Sequence, residues 1–93
     1  SAEQAKNWGL IWDFVEDDDL LSKSLEIAER LANGPIDGLK AIVKAHDNAL
    51  STSLNEQLDY ERDAQEVLLD KKEFKEGVSA FVGKRKPNFR DLS

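Results

Sequence analysis

Helix-breaking residues fall at short intervals along this chain and leave room only for short elements. Gly9, Asn33-Gly34-Pro35 and Pro87 stop regular structure, and Ser53 and Asp70 start it again. Between these points the apolar residues recur at helical spacing, on one face only. Leu21, Leu25, Ala28 and Ala32 form one stripe, widened by Leu20, Ile27 and Leu31. Leu39, Ile42, Val43, Ala49 and Leu50 form a second. Leu54, Leu58, Ala64 and Leu68 form a third, flanked by Tyr60 and Val67. Phe74, Val78, Phe81 and Val82 form a fourth. Each stripe needs a partner surface, so the chain is expected to be a helical layer packed on itself or on something else.

Cap chemistry marks the starts. Ser1 is placed to cap a short helix over 2–8, which Gly9 ends. Glu16-Asp17-Asp18-Asp19 supplies acidic residues for the positive end of the helix that follows. Ser53 with Glu56 has the spacing of a capping box, and Asp70 with Glu73 repeats it. The last helix is expected to run through "FKEGVSAFVGKR" to Pro87, weakened at Gly77 and Gly83. One segment breaks the helical pattern. "LIWDFV" (10–15) is branched, aromatic and too short for a helix, so it reads as an extended strand in need of a neighbour. The fold class is therefore all-α, about four helices with one short extended segment.

The chain has 93 residues, no cysteine and a net charge of −6. Disulfides and thiolate chemistry are excluded, which suits a reducing, cytoplasmic setting. No apolar run is long enough to span a membrane. The charge is uneven. Residues 1–70 carry six Lys/Arg against sixteen Asp/Glu, whereas residues 71–93 carry seven against three, or +4. An anionic partner for the C-terminal stretch fits this; so does a solvated basic tail. An acidic body with one basic end is a poor duplex footprint, so no nucleic-acid partner is expected.

Candidate reactive residues are few. His46 lies on the apolar face of the second stripe, but a lone imidazole without a Ser, Cys or second His has little to act with. Glu61 interrupts the third stripe; it is either a catalytic carboxylate or a structural one tied to a backbone N–H or a base. The acidic run at 16–19 lacks the glycine and final glutamate of a calcium loop, and no metal-ligand cluster, phosphate loop or nucleophile elbow is present. Ser22, in Asp19-Leu20-Leu21-Ser22, lacks the context of a phosphopantetheine serine, which speaks against an acyl carrier protein. Phe81 and Lys84 stand three apart near the end of the last helix. An aromatic face beside an ammonium suits a ligand with a flat ring and a phosphate, such as an adenine nucleotide or coenzyme A.

Three stretches together resemble one family. "SAEQAKNWGLIWDFV" is similar to the Ala-x-x-Ala-x-x-x-Gly-Leu-Val-x-x-Val-Val segment of the enoyl-CoA hydratase/isomerase (crotonase) superfamily, through Ala2, Ala5, Gly9, Leu10 and Val15, with Ile11 and Phe14 as substitutions. "EGVSAFVGKRKPNF" resembles its Glu-Gly-x-x-Ala-Phe-x-x-Lys-Arg-x-Pro-x-Phe signature at Glu76, Gly77, Ala80, Phe81, Lys84, Arg85, Pro87 and Phe89. "LNEQLDYERDAQ" resembles a third pattern at Leu54, Gln57, Leu58, Glu61 and Gln65, leaning toward the phenylacetate-pathway enoyl-CoA isomerases.

The resemblance implies one C-terminal helical domain over 1–93, in which 1–15 joins a catalytic core upstream and 16–93 forms the helical layer. It implies a role in trimer or hexamer assembly and in contact with acyl-CoA, with Phe81 and Lys84 at the 3′-phospho-ADP end. CoA enters as part of the substrate, with no separate cofactor, no metal and no membrane partner. The oxyanion hole and the acid/base residues of such enzymes would lie outside this stretch, so no catalytic residue is expected here. A free-standing helical interaction module with a basic tail is the alternative.

Overall fold

A computed structural model describes residues 1–92. It contains five α-helices: α1 (Ala2–Asn7), α2 (Leu20–Ala32), α3 (Ile36–Ala49), α4 (Leu54–Leu69) and α5 (Lys72–Val82), with a 3-10 turn at Asp17–Asp19 before α2. Internal contacts divide the chain into two compact units, one from Ser1 to Arg30 and one from Leu31 onward.

In the first unit, Ser1 caps α1 in a full capping box. Its hydroxyl accepts from the Gln4 amide at 3.2 Å, and the Gln4 side chain accepts from the Ser1 amino group at 3.3 Å. Gly9 then takes a left-handed φ of 76°, and the Leu10 amide reaches back to the Ala5 carbonyl at 2.9 Å. This closes the helix by the usual glycine route.

Residues 10–15 do not form a strand; among the described residues there is none. Two of their backbone amides, those of Leu10 and Phe14, find partners locally. Asp13 accepts from its neighbour's amide, Phe14 N–H, at 2.9 Å and from Lys6 Nζ at 2.6 Å, while that ammonium lies 5.6 Å over the Phe14 ring. An aspartate that bonds its own backbone favours a turn over a ladder at that point.

In the second unit, α4 packs against α3 on one side and α5 on the other. Ser53 and Glu56 form the expected capping box of α4, with Ser53 N–H donating to Glu56 at 2.9 Å and Glu56 N–H to Ser53 Oγ at 3.3 Å. The second expected box is absent. Asp70 ends α4, the residue before α5 is Lys71, and no side chain caps α5 there. Glu73 serves α3 instead. Its carboxylate accepts from Asp37 N–H at 3.1 Å and from Gly38 N–H at 3.4 Å. Pro35 precedes α3 and offers no side-chain acceptor, so the orphan amides of that terminus are satisfied from α5.

The stripes are largely uncovered. Ala80 is the one buried apolar residue among the described residues, 1% exposed, whereas Leu50 is 89% and Leu54 74% exposed. Ala64 and Leu68 are half-buried, and Trp8, Leu10 and Trp12 stand open. Covering a Leu or Phe contributes about 1.5–3 kcal/mol, and these faces leave that contribution unmade within the described residues.

Candidate functional site

The C-terminal end of α5 is a left-handed turn built without glycine at its key position. The helix stops at Val82, three residues before the expected end. Gly83 keeps a right-handed φ of −76°, and Lys84 is the residue with φ of 50°. Two bonds close the turn, Lys84 N–H to Phe81 O at 3.2 Å and Arg85 N–H to Ala80 O at 3.0 Å. Phe81 and Lys84 are thus neighbours through this turn rather than through helical spacing. Phe81 shares a groove wall with Phe74 and Val78, the face expected for it, but stands 86% exposed, whereas Ala80 is buried.

The basic cluster is not uniform. Arg85 is taken up by Glu76 in a bidentate pair, Nη1 to Oε1 at 2.6 Å and Nη2 to Oε2 at 3.0 Å, and Nη2 also donates to Ser79 Oγ at 3.2 Å. Asn88 N–H donates to the same Glu76 oxygen at 2.8 Å. The Arg85 guanidinium, then the Asn88 amide, hold the Glu76 carboxyl down to about 2. Among the described residues no salt bridge engages Lys84 or Lys86. Within the run Lys84-Arg85-Lys86, the charge left for an external anion is therefore on the two lysines.

Beside this end runs an apolar groove of about 520 Å³, lined by Phe74, Val78, Phe81, Phe89, Leu68 and Leu69 among others, with Lys71 and Glu73 also on its wall. Both aromatic residues of the tail motif, Phe81 and Phe89, face it.

A second groove of about 420 Å³ lies between α3 and α4 and contains His46 and Glu61. Its walls are Gly38, alanines, Ile42, Leu68 and Gln65, with no Ser, Cys or second His. His46 is exposed. Glu61 is tied neither to a base nor to a backbone amide, the two partners expected of a structural carboxylate. It accepts from Gln57 Nε2 at 2.9 Å.

Gln57 entered the sequence reading only as a position of a family pattern, with no structural part assigned to it. It is 9% exposed and fully bonded. Nε2 also donates to Ala45 O at 3.0 Å, while Oε1 accepts from Asn48 Nδ2 at 2.9 Å and Thr52 Oγ1 at 3.2 Å. One amide thereby ties the end of α3 and the turn after it to α4. The signal available was a polar residue one turn into an apolar stripe, three after Leu54.

The family model for enoyl-CoA hydratase/isomerase matches residues 1–92. The 1,2-epoxyphenylacetyl-CoA isomerase of Escherichia coli K12 is 44% identical over 89 residues, covering 96% of this chain and 34% of that protein. A probable enoyl-CoA hydratase of Rhodobacter capsulatus is 41% identical over 88 residues, covering 95% of this chain and 34% of that protein. The crystal structure of an enoyl-CoA hydratase from Polaromonas sp. JS666 superposes with a TM-score of 0.91 at 33% identity, over 97% of this chain and 35% of that one. The chain belongs to the enoyl-CoA hydratase/isomerase family. It spans about a third of the length of these relatives.

Proposed function

We propose that these residues are the C-terminal assembly and coenzyme-contacting part of an enoyl-CoA hydratase/isomerase acting on acyl-CoA thioesters through an enolate. One observation carries this reading: at the end of α5, a backbone bond of 3.2 Å joins Lys84 to the exposed Phe81, while the adjacent Arg85 is already paired with Glu76. The ring can stack on adenine, and the ammonium can take the 3′-phosphate.

The uncovered stripes support the assembly role. In this reading the rest of the subunit and neighbouring copies cover them, giving a trimer or a pair of trimers. The chemistry belongs to residues beyond this stretch, where backbone N–H groups stabilise the enolate oxygen and carboxylates move the proton. The likeness to 1,2-epoxyphenylacetyl-CoA isomerase supports the phenylacetate branch, and the absence of cysteine suits a cytoplasmic enzyme.

The test is Lys84→Ala in the full-length enzyme. It should raise KM for an acyl-CoA by ~10-fold, the worth of one charge-assisted contact, and leave KM for the 3′-dephospho ester nearly unchanged. An equal effect on both esters removes Lys84 from the phosphate. For the assembly role, the 93-residue chain should self-associate in light scattering; a clean monomer at high concentration favours the free-standing module.

A further inference from the structure

We infer that Glu76 is a positioning residue for Lys84, holding the lysine backbone in its left-handed conformation so that the ammonium is set for a phosphate before the ligand arrives. The inference rests on the reading of Lys84 as a coenzyme contact and adds the device that places it.

A left-handed φ on a long side chain is unfavourable, and such a residue persists where its surroundings over-determine it. At Lys84 the surroundings are explicit. On its N-terminal side the helix ends through Lys84 N–H to Phe81 O at 3.2 Å. On its C-terminal side the chain is pinned by one carboxylate at two points, Arg85 Nη1 at 2.6 Å and Asn88 N–H at 2.8 Å. Arg85 Nη1 also donates to Lys86 O at 3.3 Å, which stiffens the same loop.

Glu76 sits on α5 and is 15% exposed at its side chain, so the pin is part of the helix rather than of the tail. Its carboxyl stays ionised well into acid, held there mainly by Arg85. Residues 85–88 are thereby folded back on the helix, and Lys84 is the hinge of that fold. A lysine whose backbone is fixed in this way has less freedom to lose on binding than one on an open tail, although its side chain still turns, and lost freedom is a direct subtraction from affinity. The guanidinium that would compete for the phosphate is consumed by the same contact, which leaves recognition to the point charge.

The experiment is a double-mutant cycle in the full-length enzyme with an acyl-CoA and its 3′-dephospho ester. Glu76→Gln keeps the shape and breaks the charged fork. It should raise KM for the acyl-CoA by ~5-fold with kcat unchanged, the pattern of lost ground-state binding, and change KM for the dephospho ester less than ~2-fold. In the Lys84→Ala background it should add nothing, because the two changes remove one function. Arg85→Lys, which keeps the charge and loses the bidentate fork, should raise KM in the same direction by ~2- to 3-fold; it reads the same quantity if Glu76→Gln does not assemble.

If Lys84→Ala raises KM while Glu76→Gln and Arg85→Lys leave it alone, the inference is wrong and the coenzyme reading survives. Multiplicative effects in the double variant, or equal effects on both esters, also overturn it. If Lys84→Ala itself is silent, both readings fall together.

Discussion

The amide of Lys84 donates to the carbonyl of Phe81 at 3.2 Å, so the two residues proposed to grip the ligand are joined by their own backbone. Their spacing is set by a helix-ending turn. Stability and binding therefore pull in opposite directions at position 84. Lys84→Gly relieves the left-handed φ of 50° and should stabilise the protein by about 1 kcal/mol, read as a higher denaturant midpoint. The same change removes the ammonium and should raise KM for acyl-CoA as Lys84→Ala does. A glycine variant that is no more stable than the alanine variant contradicts the strain at this turn.

Gln57 is the second point of prediction. Gln57→Ala removes four side-chain hydrogen bonds around the junction of α3 and α4 and should cost about 2–3 kcal/mol, because Asn48 and Thr52 lose a partner in a half-dry site. Gln57→Glu should cost more. It is isosteric, yet it turns a donor toward the Ala45 carbonyl and the Glu61 carboxylate into an acceptor. Urea unfolding of the assembled protein checks the order.

The Glu76 carboxyl, held down to about 2 from 4.5, gives a pH signature. Its folded value lies below its unfolded one, so the stabilisation is complete above about pH 4.5 and is lost as pH falls toward 2. Glu76→Gln should flatten that part of the stability profile and leave the region above pH 5 lower by a constant amount. Thermal melts from pH 2 to 6 read this directly; a wild-type slope that survives in the variant assigns it to other carboxylates.

Gly77 tests the uncovered faces. A Cβ built at Gly77 meets nothing within 4 Å, yet the residue lies on the groove beside Phe74 and Phe81. In the 93-residue chain, Gly77→Ala should stabilise α5 by about 1 kcal/mol through helix propensity. In the full-length oligomer the gain should vanish or reverse if another backbone lies against this spot. Equal gains in both settings mean the groove stays open.

Local chemistry was the legible part of this chain. Ser1, Gly9 and Ser53 each act within one turn of their own position, and each does what its type and spacing imply. The tail motif carried the family. Longer-range choices were not legible. Asp70 and Glu73 have capping-box spacing, but Glu73 gains more from two amides of α3 than from its own turn. The apolar 10–15 segment has strand composition but forms no strand, and Asp13 bonds Lys6 and Phe14 N–H instead. Gly83 draws the eye as the helix terminator, while the adjacent Lys84 takes the left-handed angle because Glu76 holds the residues beyond it.

Glu73 also sets an order of events during synthesis. The amides of Asp37 and Gly38 leave the ribosome 36 and 35 residues before the carboxylate that satisfies them. Until then α3 has an open first turn, and its N-terminal amides should exchange with water as fast as those of a frayed helix. The helix becomes complete only when α5 has been made and docked. A chain released early, after α4, would carry a helix whose first turn has no carboxylate to close it.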